Sequence, residues 1–170
     1  MDNSPMTDLF RAFGMLSLAV LCACAEKRHP LDLHLEQLRP NTVSALPELG
    51  WPAGTLLCPM TVYQSELHGA QPPADSVNAF LARKKFLGEE GRWSLMVVKP
   101  ATQGDAGIEH LMIRRAKKFD VINEPEMLAR DAGAVPAGFA MKTCVPVEQA
   151  RILVLPEQGN HRKLIVFGTQ

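Results

Sequence analysis

Thirteen prolines and twelve glycines are spread through 170 residues, and they limit what the chain can build. Proline cannot donate a backbone hydrogen bond and glycine loosens helix and strand alike. Breaks this frequent favour short elements joined by many turns over long helices. Between the breaks the pattern is often strand-like. Leu31-Asp32-Leu33-His34-Leu35-Glu36 alternates apolar and polar residues and predicts a half-buried strand. Thr55 to Glu66 carries β-branched and aromatic residues and predicts a second, in which Pro59 demands an edge position or a bulge. Arg92 to Lys99 predicts a mostly buried strand. Phe139–Val145, Arg151–Leu155 and Lys163–Phe167 supply three more, the last two joined by a turn over Pro156-Glu157-Gln158-Gly159-Asn160. Gly107 to Asp120 fits helix or strand equally well.

Helical spacing is confined to short stretches. Val77, Phe80, Leu81 and Leu87 recur at that spacing behind Asp75 or Ser76 as a cap, with Gly88 as the stop. Glu124 to Asp131 predicts a second short helix. Pro40 to Gly54 holds three prolines and two glycines and predicts a long loop. The expected fold is therefore mostly β, a small antiparallel β-sandwich with one or two short helices.

The N-terminus supplies an address. Met15 to Leu21 is an apolar run ending at Cys22-Ala23-Cys24-Ala25, just before the charged Glu26-Lys27-Arg28. It is too short for a spanning helix, which takes about 20 apolar residues, and it reads as a secretory signal. Leu21-Cys22-Ala23-Cys24 resembles the lipobox of bacterial lipoproteins, whose terminal cysteine receives lipid and becomes the mature N-terminus. On that reading residues 1–23 are a signal peptide and Cys24 is the lipidation site. Residues 24–30 then form a tether and 31–170 a single periplasmic domain at the outer membrane. Ala23-Cys24-Ala25 also fits ordinary signal cleavage, which would release a soluble chain starting at Glu26. Without export, the run would be a buried N-terminal helix.

Removal of the signal leaves about 146 residues, enough for one core. From Cys24 onward, 17 basic residues face 16 acidic ones. Such a balance argues against a dedicated nucleic-acid binder, which would carry a basic excess. Ten aromatic residues are also too few for a stacking platform. Cys58 and Cys144 survive either cleavage, and in an oxidising compartment such a pair predicts a disulfide; two buried thiols are the alternative. The sequence has no nucleophile elbow, no phosphate-binding glycine loop and no H-E-x-x-H helix. His29, His34, His68, His110 and His161 are scattered without metal-site spacing, and His34 is expected at the surface. No enzymatic role, cofactor or metal is expected.

Three basic clusters remain: Arg83-Lys84-Lys85, Arg114-Arg115 with Lys117-Lys118, and Arg162-Lys163. If they converge, they suit anionic lipid head groups, lipopolysaccharide or an acidic partner. If they stay on separate elements, they are solubilising charges.

Leu33-His34-Leu35, then Pro40-Asn41, Gly50 and a strand ending Val62-Tyr63-Gln64 together resemble the outer-membrane lipoprotein family of type VI secretion systems. Ala74-Asp75 with Phe80-Leu81, then Leu87-Gly88, extends the resemblance, which covers roughly residues 31 to 100. Ser65 stands where that family has Leu, and Pro100-Ala101 where it has a P-G turn. The resemblance implies a small β-sandwich with helical additions and Cys24 as its lipid anchor. It also implies that the Pro40–Gly54 loop, with Asn41, Glu48 and Trp51, contacts the inner-membrane partner of the secretion complex.

The leading expectation is a non-enzymatic, lipid-anchored scaffold that holds an envelope or secretion complex at the outer membrane. The alternatives are a soluble exported ligand-binding or inhibitor domain and a small hydrolase acting on cell-wall material.

Overall fold

The computed structural model describes residues 28–69, 73–100, 107–124, 128, 135–156 and 162–170. Its first element overturns the first expected strand, because Pro30–Gln37 is a helix, α1. Proline in the first turn presets the helical φ, and the His29 Nδ1 caps the start by accepting from the Leu31 N–H at 3.2 Å. The run Leu31, Leu33, Leu35 fits period two, but Leu31 and Leu35 are also one helical turn apart. Both are fully buried while Leu33 is 42% exposed, so the helical spacing is the one that counts. His34 is half-buried, not at the surface, and its Nε2 has no hydrogen-bond partner among the described residues.

Among the described residues nine strands follow: β1 Thr42–Ala45, β2 Leu56–Met60, β3 Arg92–Val98, β4 Ile108–Arg114, β5 Phe119–Ile122, β6 Ala140–Met141, β7 Val145–Pro146, β8 Arg151–Pro156 and β9 Lys163–Thr169. A second helix, α2, spans Ala74–Arg83 between β2 and β3. One sheet has the order β1-β8-β9-β5, with β6 pairing the far end of β9; the other runs β4-β3-β2-β7. This is the expected β-sandwich. All pairings are antiparallel except β5 with β9, which is parallel.

Alternation within the strands builds the layers. Leu57, Leu95 and Val97 of one sheet share a core with Ile152, Val154 and Ile165 of the other, and α1 adds Leu31 and Leu35 to it. The opposite residues Cys58, Met60 and Met96 face outward and are covered by Val77 and Leu81 of α2. The outer face of the other sheet buries Leu153, Leu155 and Val166 against Phe139.

Several expected boundaries shift. The Pro40–Gly54 loop contains β1, and the second expected strand stops at Met60. Beyond Leu57 the β7 ladder has ended, so Pro59 sits where β2 has a single ladder neighbour, as an edge proline must. Neither Asp75 nor Ser76 caps α2. It begins behind Pro73 without a side-chain cap and ends at Lys84, short of Gly88. Gly107 to Asp120 resolves as strand, split between β4 and β5. Phe139–Val145 is not one strand, because β6 belongs to one sheet and β7 to the other. Between them Cys144 bonds to Cys58 with Cα atoms 4.2 Å apart, tying the crossover to β2. The expected helix over 124–131 and the turn over 156–160 lie largely outside the described residues. No helix among the described residues is long and apolar enough to cross a membrane.

Candidate functional site

The sandwich presents two chemically different ends. At one, β2, β4 and β8 finish while β3, β5 and β9 begin. The parallel pairing of β5 with β9 brings two of the three basic clusters together here. The Lys163 N–H donates to the Lys118 carbonyl at 3.0 Å. Asp120 receives Arg115 through both oxygens, at 2.6 and 3.1 Å, and Arg162 at 2.6 Å. Arg162 also donates to the Ala116 and Phe119 carbonyls, fixing the β4–β5 turn. Lys163 is only 8% exposed and donates its ammonium protons to the Glu36 and Leu38 carbonyls, closing the C-terminus of α1. Burial pulls the Lys163 pKa below its ordinary value. Glu36 bridges Lys118 at 2.6 Å and Arg28 at 2.5 Å. Lys118 first and Arg28 second hold the Glu36 carboxyl below the usual carboxylate range. Arg28 also reaches Asp32 at 2.6 Å, so the chain is fastened to the body from Arg28 onward.

Asp32, Glu36 and Asp120 are thus paired, while Glu90 is exposed and faces the Tyr63 hydroxyl; two cations also stand apart. Arg114 and Lys117 are exposed and have no ion partner among the described residues. Arg114 stands directly opposite Arg92 in the β3–β4 register, an arrangement that costs stability when like charges face each other. Arg92 forms an ion pair with Glu89.

Two large apolar side chains protrude at the same end, where the Arg115 N–H donates to the Gly91 carbonyl at 2.8 Å. Tyr63 is 62% exposed and Leu87 is 77% exposed. Tyr63 has φ +63°, a left-handed backbone that costs a bulky residue about 1–2 kcal/mol. A network of polar side chains enforces it. The Gln64 N–H donates to the Thr61 carbonyl, and the Gln64 amide oxygen accepts from the Thr61 N–H at 2.9 Å. Buried Asn123 donates to that same oxygen and to the Pro59 carbonyl, both at 2.9 Å. Gly88 packs against the Tyr63–Gln64 peptide, where a Cβ would lie 2.2 Å from the Tyr63 carbonyl carbon, so only glycine fits. Leu87 is thereby set next to Tyr63, whose hydroxyl faces Glu90 with Arg115 nearby. The third basic cluster, Arg83-Lys84-Lys85, belongs to the end of α2, where Lys84 lies 5.8 Å from the Phe80 ring.

The opposite end carries the expected partner loop. β1 separates its three residues: Asn41 precedes the strand, on the basic side, while Glu48 and Trp51 follow it. Asn41 takes φ +60° and donates its N–H to the Val154 carbonyl at 2.7 Å. Glu48 is exposed, and half-buried Trp51 packs against the intersheet core. The end of the loop is tied down by Glu148, which accepts from the Gly54 N–H at 3.1 Å. Beside it lies a cleft of about 570 Å³ lined by Leu56, His68, Lys142, Cys144 and Pro146.

Compared with protein-family models, curated proteins and solved structures, the chain gives no significant match. The Cys58–Cys144 disulfide read from the sequence is present. Cys24 lies outside the described residues. No group of three His, Cys, Asp or Glu among the described residues is placed to hold a metal. Sequence reasoning missed Tyr63, Leu87 and Asn123 as parts of one feature. Their link is a positive φ and a close backbone approach, and neither leaves a periodic signal in the chain.

Proposed function

We propose that the protein is a lipid-anchored scaffold of the bacterial envelope, tethered at Cys24 and binding a protein partner through the loop end. The observation that carries the reading is the Cys58–Cys144 disulfide, which suits an exported chain and stiffens the loop end. The arrangement of the ends supports it. Arg28, four residues after the lipobox cysteine, is already clamped to the basic end by Asp32 and Glu36. A tether of four residues spans about 14 Å at most, so the basic end would sit against the membrane and the Glu48–Trp51 segment would point away from it. The resemblance to type VI secretion lipoproteins supports an inner-membrane component of that machine as the partner.

Mass spectrometry of the mature N-terminus tests the anchor. Acyl chains on Cys24 are expected; an unmodified N-terminus at Glu26 would sink it. Glu48→Lys combined with Trp51→Ala is expected to abolish recovery of the partner from gently solubilised envelope, while the body still melts cooperatively. Undiminished recovery would show that the partner binds elsewhere. The cleft favours a second reading, a soluble ligand-binding domain, since about 570 Å³ is a ligand-sized volume. A thermal shift with small amphiphiles that is lost in Leu56→Trp would favour it.

A further inference from the structure

We infer that the basic end of the sandwich is itself a docking surface for anionic phospholipid head groups, with Tyr63 and Leu87 entering the interfacial layer. Four observations converge there. Exposed Arg114 and Lys117 have no ion partner among the described residues, so their charge is available to an outside anion. Arg114 stands opposite Arg92, whose own charge is paired with Glu89, so its cross-strand neighbour offers it no anion. Tyr63 and Leu87 project at the same end, 62% and 77% exposed, on segments locked together by Gly88 and with Arg115 near Tyr63. Tyr63 is held in a disfavoured backbone by Asn123 and Gln64, so structure is spent to point an aromatic ring at solvent.

Basic side chains interleaved with an aromatic and an aliphatic residue match what binds at a lipid interface. The cations attract acidic head groups, and the apolar groups partition at the boundary with the acyl chains. The position fits as well, because Arg28 brings the N-terminal tether onto this same end through Glu36 and Lys118. With acyl chains on Cys24 as the anchor, a basic patch would set which face of the body lies against the acidic head groups. The inference deepens the anchoring reading, but its test is separate from acylation.

The test uses the full chain carrying Cys24→Ser, so that no acyl group contributes, and reads amide hydrogen exchange on vesicles. Phosphatidylglycerol vesicles are expected to slow exchange in residues 61–66, 86–91 and 114–118 and leave 46–54 unchanged. Phosphatidylcholine vesicles are expected to have little effect on either region. Arg114→Glu with Lys117→Glu should weaken that protection about tenfold or more in lipid titration and remove its dependence on salt. Tyr63→Gly should lower it while keeping or raising the melting temperature, since glycine accepts the left-handed backbone that tyrosine resists. A structural role for Tyr63 predicts the reverse. Equal protection by neutral vesicles would overturn the inference. So would protection that survives both variants. No protection on anionic vesicles would assign this end to a protein and overturn it too. Vesicle protection without acylated Cys24 in the native protein would leave the docking surface standing and defeat only the anchor.

Discussion

The two ends of the sandwich solve opposite problems with the same two sheets. At the basic end, charge pairs and side-chain amides lock short turns and hold exposed groups in fixed directions. Asp120 alone collects two arginines, and Asn123 holds the turn that carries Tyr63. At the loop end a disulfide and apolar packing join the single Glu148 carboxylate that holds the Gly54 N–H and the Lys99–Glu109 ion pair. Trp51 packs inward, and the disulfide staples the crossover between the sheets to β2. One end is preorganised to present side chains, whereas the other keeps a long connection and a cleft. The lesson is where each end is vulnerable: the loop end through one bond, the basic end through its hydrogen-bond network.

The largest effect is expected from breaking the loop end. Cys58→Ser with Cys144→Ser opens a closed loop of 86 residues, and chain entropy sets the cost at roughly 4–5 kcal/mol. Thermal unfolding should show a large drop in melting temperature. Hydrogen exchange should quicken first in residues 142–147 and last in 61–66. Uniform quickening at both ends would mean that they are not independent. A smaller effect is expected at the basic end from Asn123→Ala. It leaves the Pro59 carbonyl and Gln64 oxygen short of a donor, at a cost of about 1–3 kcal/mol. Exchange should then quicken in 61–66 without change in 142–147. Loss at both ends would make Asn123 a general core residue.

How much of this division was legible in the chain depended on what kind of force made it. The strands β3, β8 and β9 are long and apolar, so burial and sequence pattern agree and their expected ranges hold. The disulfide could be read because only two cysteines, Cys58 and Cys144, lie beyond the N-terminal apolar run and its Cys22-Ala23-Cys24 end. The helix α1 could not, because Leu31, Leu33 and Leu35 fit both periods and only packing tells which leucine is spare. The split of Phe139–Val145 was hidden because a crossover between sheets keeps strand-like composition on both sides. Two basic clusters converge through one parallel pairing of β5 with β9, a topological event without local signature. Tyr63 was visible only as part of a strand, since nothing in Val62-Tyr63-Gln64 announces a left-handed residue.

The smallest expected effect is a pH dependence confined to the basic side. His110 lies on the outer face of β4, its Nε2 2.9 Å from the Ser94 hydroxyl and its ring centroid 4.7 Å from that of Phe86. Burial lowers its pKa below the ordinary 6.5, so the fold favours the neutral ring. As pH falls through 6.5 the unfolded chain takes up the proton first, and stability declines until the folded ring is protonated as well. Above 6.5 both states are neutral and the slope vanishes. Glu36 acts in a separate window: its lowered pKa adds stability that is lost only as pH drops below the ordinary carboxyl value of 4.5. Phe86 leads directly into Leu87 and Gly88, so protonation of His110 should loosen 86–91 and spare 46–54. Thermal melts on either side of pH 6.5, with hydrogen exchange alongside, measure both consequences. His110→Gln should flatten the slope in that window while leaving the Glu36 window intact. A slope that persists unchanged would place the titrating group elsewhere.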